Sequence, residues 1–424
     1  MQPLQLLAIN LTEKCNMACA HCYLDAKTLQ HGAADELSSA EVCQVMDDVA
    51  SLSKQTMVVL TGGEPLLRAD LEQLIAHGSK LGLSMVVGTN GMALTDKRVR
   101  SLKQAGLLGV GISIDSLDPD KHDRFRGLKG SWLKTVKGID TCRRRELSFQ
   151  LHFTITRQNH SELKAIAQFA SDAGARVLNI FFLVCIGRGR SVQDVDASTY
   201  EACLQEMIAL QVGYPRMIIR ARCAPQYKRV AHQLNPQSRL NKISGMVGDG
   251  CIAGIHYARV SPNGTLTACP YIEKGVGNIR QQSLIALWQN APQFLRLRQP
   301  KLTGRCGQCE YQLLCGGCRA RPMALSNDLM AEDPFCHYIP KAIPPIKPPG
   351  ELQFINILWD SEAKQRLAKI PGFLQKMIKQ RAEAYVSDLG ETCVKAEHLH
   401  LLAAKRFGNK PPSFLTKIRS EQGE

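Results

Sequence analysis

Three cysteines near the start of the chain have the spacing most able to support chemistry. Cys15, Cys19 and Cys22 lie in KCNMACAHCY, directly after the apolar run LLAINLT. Three thiolates can bind three irons of a [4Fe–4S] cluster and leave the fourth iron open to a substrate or cofactor. The spacing therefore predicts a cluster that does chemistry in addition to electron transfer. The alternative, a zinc site, requires a fourth Cys or His, and His21 lies within the loop.

Further polar motifs follow the next apolar runs. They read TGGEP at 61–65, GTNG at 88–91 and SIDS at 113–116, with Arg126 further along. The two glycines of TGGEP let the backbone approach a ligand closely, and Glu64 supplies a carboxylate that can hold an ammonium group. Taken alone, TGGEP could be an ordinary turn. One strand after the cysteines, it favours a binding site.

The elements that must position these motifs are alternating strands and helices. Apolar, β-branched runs predict strands at 6–12, 57–61, 84–89, 110–115, 151–156 and 177–184. Helical spacing of apolar residues predicts helices between them, for example at 37–53, 70–81 and 160–173. Six such units favour a partial or complete β/α barrel over an open parallel sheet. Chemistry in a barrel occurs at the C-terminal ends of the strands, where each motif falls.

A second group of cysteines occupies residues 251–336, and its dense part reads RCGQCEYQLLCGGCRARP. Seven thiols exceed one tetrahedral site, so two metal centres are predicted, with a pair of zinc knuckles as the alternative. These seven are Cys251, Cys269, Cys306, Cys309, Cys315, Cys318 and Cys336. Five other cysteines (Cys43, Cys142, Cys185, Cys203 and Cys393) are interpreted as buried free thiols.

Composition limits the remaining possibilities. The chain has 424 residues, of which 44% are hydrophobic, and sixteen cysteines that suit metal binding better than disulfides. Neither a secretory signal nor an apolar run of about 18 residues is present, so a cytoplasmic protein is predicted. The net charge of +15 suits nucleic acid, a membrane surface or a carboxylate-rich small substrate. Because RRR at 143–145 is the only tight basic run, a nucleic-acid partner is not predicted.

The combination of KCNMACAHCY, LTGGEP, GTNG and SIDS resembles the radical S-adenosylmethionine (radical SAM) superfamily over residues 4–190. The resemblance implies that Cys15, Cys19 and Cys22 bind a [4Fe–4S] cluster whose fourth iron is chelated by SAM. Reductive cleavage of SAM would then give a 5′-deoxyadenosyl radical. The implied SAM contacts are Gly62, Gly63 and Glu64 with the methionyl amino group, Ser113 with the nucleoside, Arg126 with the carboxylate and, more weakly, Asn90.

The later cysteines resemble the SPASM extension of radical SAM enzymes, which carries auxiliary [4Fe–4S] clusters. The last pair of the four-cysteine run departs from that pattern, with two intervening residues in place of three. The resemblance implies one closed cluster on Cys306, Cys309, Cys315 and Cys336. It implies a second on Cys251, Cys269 and Cys318, with Cys223 as fourth ligand or with a position open to substrate or water. One or two auxiliary clusters are thus expected.

The predicted domains are a barrel at 1–215, a SPASM-like domain at 216–340, a proline-rich linker at 341–351, a small helical domain at 352–410 and a tail at 411–424. Helices are predicted at 359–369, 373–389 and 395–407. This helical part resembles the C-terminal domain of the light-independent protochlorophyllide reductase B subunit. That likeness suggests a porphyrin-like substrate.

The segments FFLVCIGRGR, CIAGIHYARVSPNGTLTACPY and CGQCEYQLLCGGCRARP resemble radical SAM enzymes that remodel tetrapyrroles in heme d1 and siroheme-dependent heme b synthesis. The implied function is decarboxylation or carbon–carbon cleavage in the side chains of a heme-type tetrapyrrole, with an electron donor such as ferredoxin or flavodoxin. Arg188, Arg190, Arg319 and Arg321 are candidates to pair with substrate carboxylates, or are ordinary surface charges. The alternative function is a SPASM-type maturase that modifies a peptide or protein side chain.

Overall fold

Strands and helices alternate along the first half of the chain. The computed structural model describes residues 3–26, 32–236, 250–346, 357–370 and 391–407, with scattered positions between 375 and 389. The elements are β1 (Leu6–Asn10), α1 (Ser39–Leu52), β2 (Met57–Thr61), α2 (Leu71–Lys80), β3 (Ser84–Thr89), α3 (Asp96–Gln104), β4 (Gly109–Ser113), α4 (Pro119–Arg126), α5 (Ser131–Arg144), β5 (Phe149–Ile155), α6 (Leu163–Asp172), β6 (Val177–Phe182), α7 (Ala197–Gly213), β7 (Ile218–Arg222) and α8 (Gln226–Leu234).

These strands form one large sheet. It continues with β8 (Tyr257–Val260), β9 (Thr265–Thr267) and β10 (Gly277–Asn278), in the order β10-β9-β8-β1-β2-β3-β4-β5-β6-β7. From β8 to β7 every neighbouring pair is parallel, and β9 and β10 are antiparallel additions at one edge. The predicted radical SAM-type partial barrel is confirmed, with its six strands extended by one parallel strand at each edge.

The alternation of side chains along each strand divides the sheet into two faces. One face carries fully buried aliphatic residues that pack against the helices, such as Leu7, Leu60 and Ile180. α1 covers part of this face with Val42 and other apolar residues at helical spacing, and its start is fixed by a Ser38–Glu41 capping box. The opposite, inner face carries polar residues near the C-terminal ends of the strands.

The edge strands β7 and β8 were not among the predicted strands. β7 reads IIRAR, and its two arginines hide the apolar run that would predict a buried parallel strand. The arginines lie on the inner face, since Ile219 and Ala221, which alternate with them along the strand, pack in the core. β7 lies beyond residue 215, so the sheet of the barrel continues into the range predicted for the SPASM-like domain. The domain limits remain predictions.

The cysteine-rich region packs on the same hydrophobic core as the barrel. Buried Trp288 and Phe294 from this region belong to that core and contact each other edge to face. Its helices are Leu284–Asn290, Pro292–Arg298, Gly304–Gln308 and Ala320–Ser326. Short helices separated by glycine turns leave most of these cysteines on loops, while Cys306 lies on the helix Gly304–Gln308, and several sulfurs can thus face one centre.

A small C-terminal unit has its own core of Ala363, Ala382, Val386 and Val394. The helices Ser361–Ala368 and Ala396–Phe407 agree with two of the predicted helices. Two short parallel strands, β11 (Leu358–Trp359) and β12 (Cys393–Val394), were not predicted in this helical unit. The predicted helix at 373–389 and the linker fall partly outside the described residues, and the tail at 411–424 does so entirely. Among the described residues, no helix is long and apolar enough to cross a membrane.

Candidate active site

The three N-terminal cysteines lie on the loop that follows β1. Cys15 is buried, and Cys19 and Cys22 pack in the same small apolar cluster as Met17 and Ala26. Burial, with the nearby Cys19 and Cys22 thiols, raises the pKa of the Cys15 thiol to about 12. The fold thus brings the three thiols together, as the spacing predicts.

The end of α4 holds the middle of this loop by its backbone. The amides of Ala18 and Ala20 donate to the carbonyl oxygens of Arg126 and Phe125, at 3.1 and 2.8 Å. Gly127 ends α4 in the left-handed conformation, with φ of 67°. A Cβ atom there would lie 2.8 Å from the Ala18 carbonyl oxygen, so glycine is required both for the turn and for the close approach.

The Gly62-Gly63 pair has the same function for the start of the loop. The amide of Gly63 donates to Thr12 O at 2.7 Å, and the amide of Glu64 donates to Lys14 O at 2.9 Å. A Cβ on Gly63 would lie only 2.2 Å from Lys14 O. Side chains are therefore excluded where the end of β2 contacts the cysteine loop. The glycines position the cysteines directly, a role that the motif alone did not predict.

Glu64 is fully buried and connects β2 to β3. Its Oε1 accepts hydrogen bonds from Thr89 Oγ1 (2.7 Å) and Leu66 N (3.1 Å), and its Oε2 accepts one from Asn90 N (2.8 Å). A carboxylate can accept about four hydrogen bonds, so Oε2 retains capacity for one further donor. Asn90 in turn donates from Nδ2 to Asn16 Oδ1 at 2.7 Å, beside Cys15.

Arg126 already has an anionic partner inside the protein. Its Nη2 lies 2.5 Å from Asp115 Oδ2, and its Nη1 donates to Cys19 Sγ at 3.6 Å. Both side chains of the ion pair are almost fully buried. The geometry thus gives Arg126 a structural role at the cysteine loop, and its predicted contact with the SAM carboxylate remains a prediction. Ser113 is half-buried at the end of β4, next to this pair along the strand end.

Unpartnered polar atoms surround the cysteine loop. His21 Nδ1, His122 Nε2 and Arg126 Nε are buried without a hydrogen-bond partner. The amide of Asp115 donates to His122 Nδ1 (3.3 Å), which leaves the proton of the neutral ring on Nε2. Burial lowers the pKa of His21 and of His122 to about 4, so both rings are neutral at pH 7. Buried orphan donors are costly, and a bound polar cofactor would satisfy them.

A single metal ion is the alternative to a cluster at the cysteine loop. Within the described ranges, no three His, Cys, Asp or Glu side chains converge closely enough to hold one metal ion. A zinc site needs its ligands around one point. In a [4Fe–4S] cluster each thiolate binds a different iron, so the sulfurs stand further apart. The unpartnered polar atoms beside the three cysteines suit a cluster that also binds a polar cofactor.

Two further groups of thiols lie in the second half of the structure. Cys306, Cys309, Cys315 and Cys336 line one pocket, together with Arg229. Cys269 lies near Cys223, Cys251 and Cys318. Burial raises the pKa of the Cys269 thiol, and these neighbouring thiols raise it further. Each group therefore contains four thiols, which suits a closed cubane.

Cys223 was left open by the sequence, and the structure places it with the second group. It follows β7 and has a φ of 57°, a conformation that residues other than glycine rarely adopt. This backbone conformation carries the thiol into the neighbourhood of Cys251 and Cys318. Strain of this kind is retained where the surrounding structure requires it.

The four arginines suggested as carboxylate partners are engaged elsewhere. Arg188 binds Asp25 and the carbonyl oxygens of Cys19 and Ala26, and Arg190 pairs with Glu273. The guanidinium of Arg319 donates to the carbonyl oxygens of residues 317, 329 and 331, and Arg321 pairs with buried Asp333. These residues therefore stabilise loops. The suggestion that they bind substrate is not supported.

Comparison with protein families gives three matches. The radical SAM superfamily matches residues 9–170, and the iron–sulfur cluster-binding SPASM domain matches residues 251–310. A family described as the 57 kD subunit of proto-chlorophyllide reductase matches residues 359–402.

Similar proteins extend over most of the chain. An AdoMet-dependent heme synthase of Methanosarcina barkeri is 35% identical over 342 residues, covering 79% of this chain and 97% of that protein. A pre-heme d1 synthase of Dinoroseobacter shibae is 30% identical, covering 79% and 86%. A PqqA peptide cyclase of Methylocella silvestris is 28% identical, covering 80% and 89%.

Solved structures share the fold at low sequence identity. Streptococcus suis SuiB bound to S-adenosylmethionine has a TM-score of 0.65 and 14% identity, covering 80% of this chain and 78% of that chain. The AdoMet complex of anSMEcpe has a TM-score of 0.61 and 17% identity, covering 79% and 91%. The chain is therefore a radical SAM enzyme with a SAM-binding [4Fe–4S] cluster and auxiliary iron–sulfur clusters, and it belongs to the SPASM-containing family that includes the AdoMet-dependent heme synthases.

Proposed function

We propose that this enzyme modifies the carboxylate side chains of a heme-type tetrapyrrole. The observation that carries the proposal is its 35% identity to an AdoMet-dependent heme synthase over nearly the whole of that protein. The similar pre-heme d1 synthase is also named for a heme-type product. The likeness of residues 359–402 to a proto-chlorophyllide reductase subunit adds a second, independent segment associated with tetrapyrroles.

The residues of the chain would act mainly by holding and enclosing the cofactors. Cys15, Cys19 and Cys22 would bind three irons of the first cluster, and Cys306, Cys309, Cys315 and Cys336 would bind an auxiliary cluster. Cys251, Cys269 and Cys318, with Cys223, would bind another. When bound, SAM and the reduced first cluster supply a 5′-deoxyadenosyl radical that can remove a hydrogen atom from carbon.

We propose contacts to SAM that the local geometry supports. The free hydrogen-bonding capacity of Glu64 Oε2 suits the methionyl ammonium group, and the buried carboxylate makes that charge favourable there. Gly62 and Gly63 keep side chains out of this approach. We assign Ser113 and Asn90 to the nucleoside and methionyl sides respectively. We assign Arg126 to the SAM carboxylate through its unpartnered Nε, while its terminal nitrogens hold Asp115 and Cys19.

The reaction that fits a heme product is oxidative decarboxylation of a propionate to a vinyl group. Loss of one hydrogen atom from the carbon next to the macrocycle, loss of carbon dioxide and loss of one electron leave the carbon–carbon double bond. An auxiliary cluster held by the later cysteines would accept that electron, and a separate donor such as ferredoxin or flavodoxin would reduce the first cluster. Sixteen free thiols suit the reducing cytoplasm, which is where we place the reaction.

The alternative is modification of a peptide side chain. The 28% identity to a PqqA peptide cyclase over 80% of the chain supports this alternative. This support for a peptide substrate is weaker, because the sequence identity to the peptide cyclase is lower than that to the heme synthase. A peptide maturase would bind a peptide in the barrel and would show no preference for an iron porphyrin.

The experiment that tests the proposal is an anaerobic turnover assay after cluster reconstitution. Iron coproporphyrin III, in which propionates stand where heme carries vinyl groups, is incubated with SAM and dithionite. We expect 5′-deoxyadenosine and a porphyrin product lighter by formic acid equivalents (carbon dioxide and two hydrogens) per converted side chain, measured by mass spectrometry. Formation of 5′-deoxyadenosine with unchanged porphyrin and no porphyrin binding would contradict the proposal and leave the peptide alternative.

A further inference from the structure

Two of the arginines on the inner face of the barrel lie near strand ends, and no sequence pattern singled them out. Arg222 is the last residue of β7, and Arg259 lies near the end of β8, at the opposite edge of the parallel part of the sheet. Both lie at the C-terminal ends of parallel strands, which is the functional end of a barrel. Arg259 is 7% exposed, and Arg222 is half-buried.

Both arginines have amide partners in place of carboxylates. Arg222 Nε donates to Asn179 Oδ1 (2.9 Å), and Arg259 Nε donates to Asn10 Oδ1 (3.3 Å). In the part of the chain that the structure describes, their terminal nitrogens have no hydrogen-bond partner and neither arginine has an acidic partner. Three other buried arginines, Arg126, Arg229 and Arg321, each pair with a carboxylate.

The amides hold the two guanidinium groups in fixed orientations. Asn179 also donates to Gln150 Oε1 at 2.6 Å, so a chain of hydrogen bonds crosses β5, β6 and β7 to reach Arg222. On the other side, Asn10 donates to Tyr23 OH at 2.9 Å while it accepts from Arg259. Each arginine is thus bound through Nε, which leaves its terminal nitrogens available to a ligand.

The space between the two arginines lies between two groups of cysteines. Tyr257 lies two residues before Arg259 on the same face of β8, and it also neighbours Arg222. Tyr23 is close to Arg259 and to cysteines of both groups, Cys22 and Cys269. A molecule that contacts this part of the inner face would therefore lie between the first cluster and an auxiliary cluster.

The two guanidinium groups make this region of the inner face positive, which suits an anionic ligand. An unpaired guanidinium inside a protein is unfavourable. The neighbouring His152 is uncharged at pH 7, because burial lowers its pKa to about 3. Terminal nitrogens of arginine match carboxylates by paired hydrogen bonds.

We propose that Arg222 and Arg259 bind carboxylate side chains of the substrate inside the barrel. This inference rests on the proposed function, because a tetrapyrrole with propionates supplies several carboxylates on one rigid ring. The macrocycle would lie against the tyrosines Tyr23, Tyr257 and Tyr271, with its acidic side chains reaching the two strand ends. The two arginines select for the free acids and orient the ring between the cluster loops.

The test compares porphyrin binding by matched variants of the full chain. The wild type, R222Q, R259Q, R222K and R190Q are reconstituted anaerobically, and iron content shows whether the clusters are intact. Iron coproporphyrin III and its methyl ester are then titrated by Soret absorbance. We expect R222Q and R259Q each to weaken binding of the free acid by about tenfold or more, with the ester bound equally by all proteins. R222K retains the charge and should recover part of the affinity, and R190Q should equal the wild type.

Three outcomes would overturn the inference. Equal binding of the free acid by the wild type, R222Q and R259Q would remove the assigned role and leave the proposed function standing. Equally tight binding of acid and ester by the wild type would do the same. Cleavage of SAM by a wild type that binds neither porphyrin would refute the proposed function, and the inference with it.

Discussion

Replacing Gly63 by alanine should displace the cysteine loop, because the added methyl group collides with the backbone of that loop. The new Cβ would lie 2.2 Å from Lys14 O, 2.7 Å from Lys14 C and 3.0 Å from Glu13 O. All three are backbone atoms, so no side chain can rotate away. The chain that carries Cys15 must shift instead, and the hydrogen bonds from Gly63 N and Glu64 N would weaken.

The magnitude follows from two contributions. Overpacking of a well-packed site costs about 1–3 kcal/mol. Each weakened backbone hydrogen bond costs about 1 kcal/mol. We therefore expect a loss of stability of about 3–5 kcal/mol, together with displacement of the first cysteine of the triplet. At a urea m-value of about 3 kcal/mol per molar, the unfolding midpoint falls by about 1–1.7 M.

Gly213 provides a matched control. It is the last residue of α7, and a Cβ atom there would meet nothing within 4 Å. Alanine at this position should leave stability unchanged or raise it slightly. The two variants and the wild type are compared anaerobically by urea unfolding, followed by tryptophan fluorescence, and by electron paramagnetic resonance of the reduced first cluster with and without SAM.

The G63A variant should show the lower midpoint and a weaker or altered SAM-dependent signal, while G213A resembles the wild type. If G63A unfolds at the wild-type urea concentration and gives the wild-type signal, the contact between β2 and the cysteine loop does not position the cluster. The argument for the glycine motif would then be wrong.

Other predictions concern buried groups. R126M should lower the free energy of unfolding by about 3–5 kcal/mol, because Asp115 loses its buried partner. The double variant R126M/D115N should lose less stability than the sum of the two single variants, as urea unfolding of all four proteins would measure. The pKa of His122 in the folded protein is about 4, below the usual 6.5. The neutral ring therefore contributes to stability above pH 6.5. As the pH falls from 6.5 towards 4, this contribution of up to about 3 kcal/mol is lost. The variant H122N should have a flatter dependence of the urea midpoint on pH, and a dependence as steep as in the wild type would contradict the assignment. C223A should lower the iron and sulfide content of the reconstituted protein, whereas C142A, which removes a buried thiol away from both groups, should not; equal content in both variants would exclude Cys223 as a ligand.

The sequence predicted most reliably the central strands and the motifs that directly follow them. Apolar runs located the central strands β1 to β6, and the glycine motif and cysteine loop meet as the order of strands predicts. Parallel strands put their C-terminal ends together, so motifs that are far apart in the chain become neighbours.

Sequence reasoning failed where a long-range partner decides the outcome. β7 was missed because Arg220 and Arg222 make a buried strand look polar, although these side chains face the interior of the barrel. Arg319 and Arg321 were suggested as substrate contacts, but backbone carbonyls and Asp333 bind them, and no local pattern reveals such partners. Cys223 lies 28 residues before Cys251, so its place among the other thiols depends on the tertiary fold.

The pairing of β1 with β8 has a consequence for synthesis of the protein. Leu6 pairs with Tyr257, so one edge of the first strand waits for a partner made about 250 residues later. At roughly 5–20 residues per second, the ribosome needs about 12–50 s to supply it. During this time the edge of β1 presents unpaired backbone groups that can join another nascent chain. Premature termination before β8 would leave that edge permanently open, so a barrel fragment ending near residue 215 should aggregate on release from the ribosome.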